Sequence, residues 1–159
     1  MVANNVAPGT GFSSQYFTSR YSGSGFASYG AARAASYDNV SAMASSQAGA
    51  SGLPASLVER VIRRESGGNP RTVHAGNYGL MQIRLSTARA MGYTGSAAGL
   101  LDPQTNMSYA LRYLAGAYRA AGGNESRAIA LYSRGYYYQA KAQGFSPYAS
   151  GVGLNYQFH

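Results

Sequence analysis

The 159-residue sequence predicts a mostly α-helical domain behind a Gly/Ser/Tyr-rich N-terminal arm. Three observations carry that prediction. Apolar residues recur at helical spacing in three separate segments between residues 57 and 132. Cap residues and Gly pairs punctuate those segments. Sustained strand alternation is missing, apart from short pairing expected around Tyr78–Ile83.

Residues 1–52 are read as a low-complexity arm, residues 53–145 as the folded domain and residues 146–159 as a tail. The arm is rich in Gly, Ser, Ala, Tyr and Asn and poor in aliphatic side chains, as expected of a linker or mobile arm. A short Ala-rich helix near Ala31–Ala44 fits the high helix propensity of alanine. The aromatics Phe12, Tyr16, Phe17, Tyr21, Phe26 and Tyr37 offer a way to dock the arm, and the sequence leaves disorder and docking both open.

In the domain, Ser56 is positioned to cap a helix carrying Leu57, Val58, Val61 and Ile62, which Gly67-Gly68-Asn69-Pro70 would end. A polar loop then closes with Gly79-Leu80-Met81-Gln82-Ile83. Ser86 would cap a short helix stopping at Gly92. Asp102-Pro103 reads as an N-cap followed by proline in the first helical turn, and Met107, Ala110, Leu111, Leu114 and Tyr118 form that helix's inner face. Gly122-Gly123 stops it. Asn124 caps a final helix with Ala128, Ile129, Leu131 and Tyr132 as its apolar body.

Thirteen basic residues against five acidic ones give a net charge of +8 and a pI near 9.9. That balance favours polyanionic surroundings such as an anionic cell envelope. The basic residues are scattered and Arg63–Arg64 is the sole adjacent pair, so a nucleic-acid interface is not expected. The absence of cysteine excludes disulfides and thiolate metal sites. With two His and five carboxylates, no metal or other cofactor is expected, and His74 and His159 are read as solvent-exposed. No apolar run is long enough to span a bilayer. The amino end lacks a basic and apolar leader, so an exported protein would have had its signal removed.

Taken one by one, four carboxylates have ordinary roles. Asp38 lies in the arm, Glu59 is four residues before Arg63, Asp102 caps a helix, and Glu125 sits in a first turn where the dipole favours it. Glu65 alone continues an apolar helix face, at i+4 from Val61 and i+7 from Val58. Partial desolvation there favours the neutral form and suits a general acid. Helix periodicity equally allows Glu65 to turn outward and pair with Arg64 or Arg71.

Four blocks occur in order: Glu65-Ser66 at a helix end, Gly79-Leu80-Met81-Gln82-Ile83, Asn106 with Tyr113-Leu114, and Ala128-Ile129-Ala130-Leu131-Tyr132. Together they resemble the family 1 lytic transglycosylases, which are related to goose-type lysozyme. The resemblance covers roughly Leu57–Gly144 and implies a lysozyme-like helical fold. It implies that Glu65 is the catalytic acid and that Ser66 supports it and contacts substrate. It further implies that Met81 and Gln82 face the glycan, that Asn106 looks towards Glu65, and that the Tyr132 hydroxyl bonds the catalytic carboxyl. Ser133 stands where the family usually has Asn; serine keeps a hydroxyl but loses the amide's reach for substrate. Gly135-Tyr136-Tyr137-Tyr138 replaces the usual Gly-Pro, and its tyrosines are either surface packing or platforms for sugar rings.

The activity so implied is cleavage of the MurNAc-GlcNAc β-1,4 bond of peptidoglycan, with formation of 1,6-anhydro-MurNAc, in the periplasm or outside the cell. Glycan strands are the implied partner; the Gly/Tyr-rich arm offers a way to anchor the domain to an envelope-spanning assembly, though no motif identifies it. A standard glycosidase needs two carboxylates. Here one acid would serve twice, because the substrate's own C6 hydroxyl attacks C1. Two alternatives share the fold: a lysozyme-type hydrolase and a non-catalytic wall-binding module. Asn106 as a satisfier of buried backbone, Met81 as core, and Tyr132 as a packed core aromatic are the plain structural readings of those residues.

Overall fold

A computed structural model describes residues 24–148. The chain divides into two units, Met1–Ala34 and Ala35–His159; of the first, only the opening turns of a helix are described, and everything below concerns the second. Helix α1 runs Ser24–Ala50, well beyond the short Ala31–Ala44 helix expected. Val40, Ala44 and Ala48, four residues apart, share one face and join the hydrophobic core. Residues 40–50 are therefore packed rather than linker-like. Alanine gives helix propensity and little apolar area, so composition underrates such a segment. Ser41 and Ser45, one turn apart, donate hydrogen bonds to Glu59 Oε1 at 2.8 and 3.4 Å. Of the arm's aromatics, Tyr37 is described: its ring backs Gly68 and its hydroxyl accepts from Arg63 Nε at 3.4 Å. In place of the expected Glu59–Arg63 pair, the two side chains make three hydrogen bonds to α1. The side chains of Phe12, Tyr16, Phe17, Tyr21 and Phe26 lie outside the described residues.

Helix α2, Ala55–Ser66, buries Leu57, Val58, Val61 and Ile62 as its periodicity requires. Its N-cap is Pro54, not Ser56. Proline's fixed φ starts the helix one residue before Ser56, and the Ser56 hydroxyl instead donates to Glu125 Oε1 at 2.7 Å. Glu125 also pairs with Arg60 at 3.0 Å, which ties α2 to the helix that begins at Glu125. Gly67 closes α2 in the left-handed region, φ 61°, with its N–H on the Arg63 carbonyl.

The segment read as a loop holds a three-stranded antiparallel sheet, β1 Val73–His74, β2 Asn77–Tyr78 and β3 Ile83–Arg84, in that order. Tyr78 pairs with Ile83, as the short pairing expected there requires. Ala75 and Gly76, both at positive φ, make the tight two-residue turn between β1 and β2. Helix α3, Leu85–Ala90, is preceded by Arg84 rather than capped by Ser86. After a 3-10 turn at Ala97–Leu101, α4 spans Pro103–Ala120 and forms the domain's central strut. It packs chiefly against α5, Glu125–Arg134. Asp102 and Asn124 cap these two helices as expected, accepting from Thr105 N at 2.8 Å and Arg127 N at 2.9 Å.

The last helix, α6 Tyr137–Ala142, was not legible in the tyrosine run. Tyr136 is buried and donates to the Tyr113 carbonyl at 2.7 Å, whereas Tyr137 and Tyr138 are exposed. The tail returns: Pro147 is buried and Tyr148 stacks on Tyr113. His74 is exposed, as expected, and His159 lies outside the described residues.

Asp102→Ala removes a side-chain cap from the central helix. Its expected cost is about 1 kcal/mol of unfolding free energy, measured by urea titration at neutral pH. The Thr105 amide holds the Asp102 carboxyl below its ordinary range. The cap's contribution is therefore full above the unfolded carboxyl's pKa and fades as pH falls through the folded one.

Candidate active site

Glu65 occupies the last turn of α2, on the face that carries Val58 and Val61 into the core. Because the helix ends at the next residue, its carboxylate emerges where the core meets solvent. Its side chain is 20% exposed and lines a cleft of roughly 320 Å³. Ser133 Oγ, from the end of α5, donates to Glu65 Oε1 at 2.9 Å and also lies 3.2 Å from the Ile129 carbonyl. Arg64 Nε is 4.0 Å from the same carboxylate oxygen, a loose and exposed pairing. Glu65 is the single carboxylate among the described residues of the cleft wall.

The expected site residues divide into two groups. Gln82, Tyr132 and Ser133 reach the cleft with Glu65. Ser66, Met81 and Asn106 do not line it. The Ser66 hydroxyl donates back to the Ile62 carbonyl and accepts from Gly68 N, both at 3.2 Å, so it finishes the helix end rather than holding Glu65. Met81, expected to face the glycan, is fully buried. Asn106, expected to look towards Glu65, is also fully buried and serves backbone on three sides. Its Oδ1 accepts from Met81 N at 2.9 Å, and its Nδ2 donates to the carbonyls of Tyr78 at 2.7 Å and Leu100 at 2.8 Å.

Tyr132 departs from its implied role in an informative way. Its hydroxyl donates to the Met81 carbonyl at 2.8 Å, not to the Glu65 carboxyl. The contact to the carboxyl comes from its neighbour, Ser133. Met81 is thereby clamped at both backbone groups, by Asn106 from α4 and by Tyr132 from α5. The clamp fixes the turn that leads into Gln82 and β3, and so fixes one wall of the cleft. Gly79 in that turn has φ 73°, and a Cβ there would run into Asn106 Nδ2 and the Leu100 carbonyl. Gln82 adopts φ 48° and spends its amide hydrogens on the Thr72 and Gly79 carbonyls, each at 2.9 Å.

Tyr148, Arg84, Arg134, Asn77 and Thr87 line the wall without having been named from the sequence, and Tyr113 was named in a block but given no place in the site. Tyr113 follows Asn106 by seven residues, two turns along α4, so helical spacing could have put it on the same face. Its ring packs on Tyr132 at 5.5 Å, Tyr136 at 4.8 Å and Tyr148 at 6.3 Å, the last almost parallel. Tyr148 carried no signal, because only the chain's return brings it to the cleft.

Burial and then the Tyr148 phenol push Tyr113 up to about 12. Burial, followed by the charge on Glu65, pushes Tyr132 well above its ordinary value. Both phenols hold their protons more tightly folded than unfolded, where they ionise near pH 10. Their contribution to stability is complete below about pH 10 and is lost as pH rises through the folded values, which for Tyr113 is about 12. Denaturant titrations between pH 8 and 12 are expected to show a fall above pH 10. Replacing both tyrosines by Phe is expected to flatten it.

Residues 42–147 match the Transglycosylase SLT domain family. A stretch of 71 residues is 44% identical to the endo-type membrane-bound lytic murein transglycosylase A of Cronobacter sakazakii, covering 40% of this chain and 35% of that protein. The chain thus spans about a third of that relative's length. No solved structure matches. Since the family match takes in α2, the sheet, α4 and α5, and every wall residue of the Glu65 cleft but Tyr148, the chain belongs to the transglycosylase SLT domain family.

Proposed function

We propose that the chain is a peptidoglycan lytic transglycosylase in which Glu65 is the single general acid and base. The observation that carries the reading is a lone, half-buried carboxylate in an open cleft, held by Ser133 and without an acidic mate among the described wall residues. Glu65 first gives its proton to the β-1,4 glycosidic oxygen between MurNAc and GlcNAc, and the C1–O4 bond breaks. The oxocarbenium-like centre is met by the sugar's own N-acetyl oxygen. Glu65, now a carboxylate, takes the proton from the C6 hydroxyl as O6 bonds to C1. The product is 1,6-anhydro-MurNAc and no water is consumed. An inverting or retaining hydrolase would place a second carboxylate across the bond.

The likeness to the Cronobacter protein, a lytic murein transglycosylase, supports the same reaction class. We take Ser133 as a positioning residue for Glu65, and Gln82 as the other cleft residue that meets glycan through its remaining amide oxygen. The catalytic unit we propose is residues 53–145 together with the closing turns of α1. Peptidoglycan as substrate places the protein in the periplasm or outside the cell; no described helix is long and apolar enough to cross a membrane.

The test is mass analysis of muropeptides released from purified sacculi. Anhydro ends, lighter by one water than reducing ends, are expected. Solvent ¹⁸O appearing in the product would instead assign a lysozyme-type hydrolase. Wall binding without release would assign a non-catalytic module. Ser133→Ala is expected to lower the rate about tenfold, as for a lost hydrogen bond to a charged group worth about 1.5 kcal/mol. A rate equal to the parent's would remove Ser133 from that role.

A further inference from the structure

Two arginines line the Glu65 cleft, Arg84 on β3 and Arg134 in the last turn of α5. They give the wall two positive charges against one negative. In a chain with 11% charged residues this is a concentration of charge. Both are exposed, and neither has an ion-pair partner within 4 Å among the described residues. Three other arginines of the domain are engaged: Arg60 with Glu125, Arg63 with Tyr37, and Arg112 with the Met91 carbonyl. Both cleft arginines sit in regular secondary structure. Arg84 pairs across the sheet with Asn77, and Arg134 follows the serine that touches Glu65.

Resting on the reading above, we propose that Arg84 and Arg134 are specificity residues that bind a carboxylate on the MurNAc lactyl arm. A guanidinium presents a planar fork of N–H donors that matches a carboxylate, and near a partly enclosed wall such a pair is stronger than in open water. A neutral glycan has no use for two such forks. MurNAc differs from GlcNAc by its 3-O-lactyl group, which ends in a free carboxylate on stripped strands. On intact strands it continues into a peptide stem that bears its own carboxylates. Substrate charge, as well as sugar shape, then selects what is cut.

The test uses Arg84→Gln/Arg134→Gln beside a control of equal charge, Arg89→Gln/Arg127→Gln. Both control positions are exposed and outside the cleft wall. Release of anhydro-muropeptides is measured on intact sacculi, on amidase-stripped strands, and on each after carbodiimide amidation of carboxyl groups. The cleft variant is expected to lose at least tenfold in kcat/KM, mainly through KM, on one unmodified substrate. That loss is expected to shrink to less than twofold on its amidated form, with the control near the parent throughout. Loss on intact sacculi alone assigns the stem carboxylate; loss on stripped strands alone assigns the lactyl carboxylate. An equal loss on amidated strands, no loss anywhere, or the same loss in the control overturns the proposal. Cosedimentation of the same variants with sacculi in a Glu65→Gln background reads the same charge dependence without turnover. A parent that releases no product therefore counts against the reaction, while this contact is still decided by binding.

Discussion

Glu65→Gln is expected to reduce release of anhydro-muropeptides by three or more orders of magnitude while leaving the fold intact. The amide keeps the shape and can still accept from Ser133, but it neither gives a proton to the glycosidic oxygen nor takes one from the C6 hydroxyl. General acid–base assistance is worth on the order of 10² to 10⁴ in rate. Both halves of the reaction draw it from this one group. A thousandfold loss corresponds to about 4 kcal/mol of transition-state stabilisation. The group stands at the cleft edge with its side chain 20% exposed, so the unfolding midpoint should match the parent's within error. Measured turnover within tenfold of the parent would sink the single-acid reading.

The second large effect is on stability. Asn106→Ala is expected to cost at least 3 kcal/mol, because it strands three backbone groups in a buried site. An unsatisfied buried donor or acceptor costs roughly 1–3 kcal/mol, and here the Met81 amide and the Tyr78 and Leu100 carbonyls lose their partner together. Asn106→Leu is expected to do no better, since the backbone groups remain and only the volume is refilled. Denaturation curves on both variants check this. The cleft's wall depends on the same clamp, so activity should fall with the folded fraction and recover when stabilising conditions restore the fold. A near-parental midpoint for Asn106→Ala would show that water or relaxation takes the amide's place.

What could be read in advance was local. The four buried positions of α2, its Gly67 stop, the Asp102 and Asn124 caps and the apolar faces of α4 and α5 all follow from spacing and cap chemistry. Two caps were misread, because Ser56 and Ser86 look like N-caps but each helix starts one residue earlier. The length of α1 was misread because alanine announces a helix and not a packed one. Among site residues, Glu65 could be picked out as the one carboxylate on an apolar face. The direction in which Met81, Asn106 and Tyr132 act could not, since a side chain that meets backbone and one that meets substrate leave the same letter in the sequence.

Taken alone, then, the order of residues determined α2, α4 and α5, their inner faces and the carboxylate's place at the end of α2, because each depends on neighbours within a few positions. Tertiary structure alone decided that the Tyr132 hydroxyl goes to Met81 while Ser133 takes the carboxylate. It also decided that Tyr148 and two arginines reach the same cleft. Those contacts join residues tens of positions apart, and which partner a short polar group finds depends on ångström-scale distances that packing sets.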